Sequence, residues 1–125
     1  MSSLLLILFI LQANIENLDE VTFFNQLTLE CDGIIIDVQT EIEYQQAHLQ
    51  SALFSPNKKS LNSFCDTLKR ETILFVYCKY GDRSKTACSL LQKKGFHTIY
   101  QLENGIESVI QNKSFASFFE QIIAQ

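Results

Sequence analysis

From Ile15 onward, short apolar runs alternate with amphipathic stretches, and that alternation predicts strands interleaved with helices. Asp19 or Asn17 can cap a helix running to about Leu29, with Val21, Phe24 and Leu27 on one face. Gly33 then precedes Ile34-Ile35-Ile36-Asp37-Val38, apolar at consecutive positions, as in a strand covered on both faces of a parallel sheet. Thr40 with Glu43 forms a capping-box signature opening a short helix toward Ala47. Ala52-Leu53-Phe54 predicts a short strand ending near Pro56. Leu61 to Arg70 suits a helix with Leu61, Phe64, Cys65 and Leu68 inward. Ile73 to Tyr77 is the second strong strand and leads directly into Cys78. Ser84 to Lys94 reads as a helix with Gly95 as its stop, and Thr98-Ile99-Tyr100 as a last short strand. Helices are expected from Gly105 and from Ser114 to the end. The pattern predicts doubly wound α/β layers, in which ligands collect beyond the carboxyl ends of the strands. Cys78 falls at such an end.

The N-terminus stands apart. Leu4 to Leu11 is an unbroken apolar run of eight residues, followed by Ala13. It is too short to span a bilayer but suits the core of an export signal, which divides the chain into residues 1–13 and a domain over 14–125. Against this, Met1–Ser3 holds no Lys or Arg, and a buried edge strand is the competing reading. Cys31 lies too far beyond the run for a lipoprotein signal. A cleaved signal implies the periplasm or cell envelope, and its absence the cytoplasm. No second stretch of spanning length exists, so the mature domain is not expected to cross a membrane.

At 125 residues, with a hydrophobic share of 46% and ten Phe, the chain can bury one core without staples. Its net charge of −4 argues against nucleic acid as the main partner. Cys31, Cys65, Cys78 and Cys88 form no C-x-x-C pair and only two histidines are present, so neither a metal site nor a disulfide framework is expected. Most of these cysteines should be buried small hydrophobes.

Cys78 invites a different account. Val76-Tyr77-Cys78-Lys79-Tyr80-Gly81-Asp82-Arg83-Ser84 reads as strand, tight loop and helix start. Successive backbone N–H groups in such a loop converge into an anion-binding nest, to which the helix N-terminus adds positive potential. Gly81 gives the loop its freedom. A thiol at the centre would have its ionised form stabilised and become a nucleophile at neutral pH. Lys79, Arg83 and Lys85 strengthen that field within an acidic chain. The bland alternative is a cysteine that merely ends a buried strand.

The loop from Cys78 to Ser84 resembles the active-site loop of rhodanese-like sulfurtransferases. Three further segments match that family in order. Asp37 to Tyr44 is similar to its Asp-Val-Arg-x-x-x-Glu-Phe/Tyr signature, Ala47 to Ala52 to Gly-His-Ile-Pro-Gly-Ala, and Lys94-Gly95-Phe96 through Leu102-Glu103-Asn104-Gly105-Ile106 to its closing stretch. The resemblance spans roughly Ile15 to Val109. It implies a five-stranded parallel sheet flanked by helices, and a persulfide on Cys78 held by the loop Lys79, Tyr80, Gly81, Asp82, Arg83 and Ser84. It further implies a small sulfur donor and a thiol, cyanide or protein acceptor, with no cofactor. Arg83 should close the loop by bridging loop carbonyls or acidic side chains, with Asp37 as the steadying partner and Glu103 in a similar role.

Gln39 stands where the family commonly has Arg, which removes a positive charge useful to a dianion such as thiosulfate. Asn104 replaces a frequent Gly, and Ser108-Val109 a frequent Trp. Glu43 reads as the capping partner of Thr40, His48 as a hydrogen-bonded turn residue, His97 as a surface residue and Cys88 as core. Resolving roles for Cys31 or Cys65 rest on their presence alone. A phosphatase or arsenate reductase needs Cys-x5-Arg, and here four residues separate Cys78 from Arg83. A partner-specific persulfide relay and a non-catalytic rhodanese-like binding module are the remaining alternatives.

Overall fold

The β-branched and aromatic runs assemble as a parallel sheet, and the stretches between them as its crossovers. The computed structural model describes residues 14–120. Strands β1 (Asn14–Leu18), β2 (Ile34–Asp37), β3 (Leu53–Phe54), β4 (Leu74–Tyr77) and β5 (Thr98–Leu102) form one sheet in the order β1-β5-β4-β2-β3, every pairing parallel. The connections are α1 (Glu20–Leu29), α2 (Glu41–Gln46), α3 (Lys58–Thr67) and α4 (Asp82–Lys93), and a 3-10 helix follows at Lys113–Phe118. This is the five-stranded, helix-flanked α/β fold that the resemblance implied.

β4 lies at the centre, and all four of its residues are buried. Side chains alternate across a strand, so Phe75 and Tyr77 enter one layer of the core while Leu74 and Val76 enter the other. The first layer is aromatic, with Phe23 packing edge-on against Phe75 at 5.5 Å. The second is aliphatic and holds Leu61, Cys65, Ala87, Cys88 and Leu91 from α3 and α4. Fully burying such side chains contributes roughly 1.5–3 kcal/mol each. The sheet is therefore fixed from both sides, and its carboxyl edge is a rigid platform.

Several boundaries differ from the sequence pattern. Phe23 and Phe24 form the buried face of α1, while Val21 is 58% exposed. Helix α3 starts at Lys58 rather than Leu61, because Asn57 and Ser60 make a reciprocal capping box. Helix α4 starts at Asp82, two residues ahead of the expected Ser84. β1 was not legible as a strand: Asn14, Glu16 and Asn17 make it polar, and pairing with β5 holds it at the sheet edge. Beyond Gly105 the chain forms turns and the 3-10 helix instead of two α-helices. The apolar run and its proposed cleavage site fall in residues 1–13, outside the described residues, as does the chain after Glu120. Among the described residues no helix is long and apolar enough to cross a membrane.

Candidate active site

β4 delivers Cys78 to the carboxyl edge of the sheet, where the chain turns through Lys79, Tyr80 and Gly81 into α4. Gly81 stands at the helix N-cap with φ +95°, a left-handed conformation that L side chains resist. This turn aims two amides at the sulfur: Gly81 N–H donates to Cys78 Sγ at 3.1 Å and Ser84 N–H at 3.3 Å. The thiol donates to Ser84 Oγ at 3.4 Å, and that hydroxyl donates to the Gly81 carbonyl at 3.2 Å. Asp82 Oδ1 lies 4.0 Å from the sulfur. Donors converging on one atom favour a negative charge there. Cys78 itself is fully buried beneath the loop.

A second segment braces the loop. Ile106 N–H donates to the Cys78 carbonyl and Glu107 N–H to the Lys79 carbonyl, both at 3.1 Å. The approach is so close that a Cβ on Gly81 would lie 1.9 Å from the Glu103 carbonyl oxygen, and one on Gly105 2.1 Å from that of Lys79. Glu103 thus supports the loop through its main chain, while its side chain is exposed.

Arg83, just past the loop on α4, pairs with an acid on α2. Its guanidinium makes a bidentate pair with Glu43, at 2.7 and 3.1 Å, joining α4 to α2. The Arg83 hydrogen bonds hold the Glu43 carboxyl at about 2, well below the ordinary carboxylate range. Glu43 also accepts from Thr40 N–H at 2.9 Å, so the expected capping box is present and shares its carboxylate with Arg83. Lys79 and Tyr80 form the outer rim, with the Lys79 ammonium 5.4 Å from the Tyr80 ring centroid and Tyr80 60% exposed.

The family model described as Rhodanese-like domain matches residues 22–112. The chain belongs to the rhodanese-like domain family. It is 33% identical over 91 residues to the tRNA uridine(34) hydroxylase of Onion yellows phytoplasma (strain OY-M), a match covering 68% of this chain but 29% of that protein. The chain therefore spans under a third of the hydroxylases it matches. It is 29% identical over 83 residues to thiosulfate sulfurtransferase GlpE of Coxiella burnetii (strain RSA 331 / Henzerling II), covering 66% of this chain and 77% of that protein. In solved structures, the rhodanese-like domain of the Anabaena sp. Alr3790 protein superposes with TM-score 0.67 at 22% identity, covering 86% of this chain and 80% of that one. A rhodanese-like domain protein of Staphylococcus aureus gives TM-score 0.67 at 17% identity, covering 78% and 94%. At such identities the likeness concerns the fold.

One expected contact of the rhodanese-like site does not form. Asp37 does not steady Arg83; it is fully buried beside β4 and accepts from the Tyr77 hydroxyl, from Gln39 N–H at 2.8 Å and from Gln39 Nε2 at 3.0 Å. Glu43, carried by α2, is the carboxylate that pairs with Arg83 instead. Burial pushes the Asp37 carboxyl above its ordinary value, and burial likewise pushes the Tyr77 phenol far up. Gln39, also buried, ties Asp37 to the Ala47 carbonyl at 3.0 Å, so the position where the family commonly has Arg is spent on structure. His48 stacks on Tyr44 and its Nδ1 pairs with the Tyr44 carbonyl at 2.7 Å, a turn residue as read from sequence. His97 is half-buried rather than a surface residue.

The four cysteines are free. Burial raises the Cys65 thiol above its ordinary value and pushes Cys88 to about 12, so both keep their protons at neutral pH. Cys31 is exposed just ahead of β2, at the amino edge of the parallel sheet and thus at the opposite end from Cys78. Cys78 is the cysteine whose sulfur receives two amides from its own loop, those of Gly81 and Ser84.

Proposed function

We propose that this rhodanese-like domain is a sulfurtransferase that moves a sulfane sulfur through a persulfide on Cys78. The observation that carries this reading is the pair of amides, Gly81 N–H and Ser84 N–H, donating to one buried sulfur. The Cys78 thiolate attacks the outer sulfur of a donor. With thiosulfate, the new bond joins Cys78 Sγ to that sulfur, the donor S–S bond breaks, and sulfite leaves with the electron pair. The terminal sulfur then carries the charge, still within reach of the loop amides. Cyanide or a thiolate next attacks that outer sulfur, the persulfide bond breaks, and the electron pair returns to Cys78 Sγ. This is covalent catalysis in two half-reactions with a preorganised cradle.

Intact mass of the protein after thiosulfate, then after dithiothreitol, tests the reading. A gain of one sulfur that dithiothreitol removes, absent from Cys78→Ser, is expected. An unchanged mass, or a gain that persists in Cys78→Ser, overturns it. A partner-specific persulfide relay uses the same two steps with a protein in place of the small donor or acceptor. Fast thiosulfate–cyanide turnover would count against the relay. Residues 1–13 are proposed as an export signal, which N-terminal sequencing of the protein from its own cell tests.

A further inference from the structure

Between α3 and α4, on the side of the sheet that carries Cys78, lies an open cavity of about 370 Å³. That size falls within the roughly 300–1,000 Å³ typical of small-molecule sites. Its apolar lining comes from Val38, Pro56, Leu61, Ala87 and Leu90, and three of these pack in the same cluster as Cys78. Among the described residues its charged lining is Lys58, Arg83 and Lys93, with no Asp or Glu. In a chain of net charge −4, an acid-free lining with three cations is a selective surface.

The cations are not equivalent. Arg83 is engaged by Glu43, whereas Lys58 and Lys93 are exposed and, among the described residues, form no ion pair. No acid stands in the first turn of α3, where Lys58 and Lys59 lie, so the helix end adds to the positive potential instead of cancelling it. Arg83 belongs both to the cavity and to the loop around Cys78.

We propose that this cavity seats the organic body of the sulfur acceptor, a small thiol whose apolar chain ends in a carboxylate. The apolar lining takes the chain, Lys58 and Lys93 take the carboxylate, and the thiol end lies toward Arg83 and the loop. The acceptor thiolate forms an S–S bond to the outer sulfur of the Cys78 persulfide. The bond between that sulfur and Cys78 Sγ breaks, the electron pair returns to Sγ, and the product leaves as an organic persulfide. This rests on the sulfur transfer proposed above.

Turnover with thiosulfate as donor is compared for three acceptors: 6-mercaptohexanoate, 6-mercaptohexanol and cyanide. The KM for the acid should lie about fivefold below that for the alcohol, the scale of one or two screened ion pairs. The double variant Lys58→Glu/Lys93→Glu should erase that preference while cyanide turnover stays within about twofold. Equal KM values in the unaltered protein, or a variant that slows all three acceptors alike, overturn the proposal. Hexanoate, which lacks a thiol, separates the two readings when the backbone amide signals of Thr86 to Leu90 are followed by NMR. If hexanoate shifts those signals but no sulfur is transferred, the catalytic reading fails and the cavity assignment stands. If cyanide is turned over but hexanoate shifts nothing, the cavity assignment alone fails.

Discussion

Tyr77 and Cys78 are neighbours in the chain, point to opposite faces of one sheet, and meet opposite fates. The Tyr77 hydroxyl donates to the Asp37 carboxylate and accepts from Leu49 N–H at 3.0 Å, so both of its capacities are spent inside the protein. Side chains and main chain from β2, β4 and the turn after α2 are tied into that cluster, and no reactant is needed to complete it. The Cys78 sulfur instead collects donors from its own loop, with no cation touching it. A fully satisfied polar cluster specifies a structure. A sulfur that collects two loop amides suits the persulfide proposed for it. One strand end thus anchors the fold on one face and offers chemistry on the other.

The comparison breaks most sharply at the glycines that let the loop approach its brace. Gly81→Ala and Gly105→Ala set a methyl group against a carbonyl oxygen and impose positive φ on an L residue. Each should cost roughly 2–5 kcal/mol in chemical denaturation and abolish sulfur loading on Cys78. Gly95→Ala is the control. Its φ is +94° but its Cβ would meet only Arg70 Cδ at 3.8 Å, so strain of about 1 kcal/mol with unchanged sulfur loading is expected. Equal losses of loading in all three would mean that the brace is not specific to the site.

The opposite face is probed by Tyr77→Phe. It strips a donor from Asp37 and leaves the buried Leu49 N–H without its acceptor, at a cost of roughly 1–3 kcal/mol. Sulfur loading of the folded fraction should change less than about threefold, because no loop amide moves. The deficit should also depend on pH. Burial holds the Asp37 carboxyl above its ordinary value, so its contribution is fully present at acid pH and fades as pH rises through the folded value. Losing the Tyr77 donor raises that carboxyl further, so the variant's deficit should widen from acid toward neutral pH. A pH-independent deficit would mean that the hydroxyl does not bear on the carboxylate.

Local chemistry was legible in the sequence, and partnerships across the fold were not. The string from Val76 to Ser84 announced strand, loop and helix because each part depends on near neighbours: a β-branched run, one glycine, one helix start. The Thr40–Glu43 box was legible for the same reason. Glu43 with Arg83 and Asp37 with Tyr77 each join residues forty positions apart, and nothing in periodicity says which carboxylate faces which partner. Asp37 ends β2 beside the loop, and the sequence therefore pairs it with the loop, but its side chain points into the aromatic layer with Tyr77. In sequence Glu43 reads as a cap alone, although a capping glutamate leaves one oxygen open for a neighbour. The polar β1 escaped because an edge strand is held by pairing rather than by its own pattern.

The smallest effect expected concerns that shared glutamate, and it tells whether Arg83 is closed by charge or by shape. Glu43→Gln keeps the amide oxygen for Thr40 N–H and Arg83 but removes the negative charge. Arg83's side chain is 36% exposed, so solvent screening limits the loss to about 1 kcal/mol. The sign with pH is opposite to that of Asp37. A carboxyl held at about 2 in the folded protein stabilises it above the ordinary carboxylate range and loses that contribution as pH falls from about 4.5 toward 2. The stability difference between the two proteins should therefore be largest at neutral pH and shrink across that acid window. Freed of its counter-charge, Arg83 should also raise the attraction for thiosulfate, lowering its KM by about twofold to fivefold at low salt and less at high salt. A variant equal to the unaltered protein at every pH, with an unchanged KM, would mean that geometry alone closes the loop and that Glu43 matters only as the cap of α2.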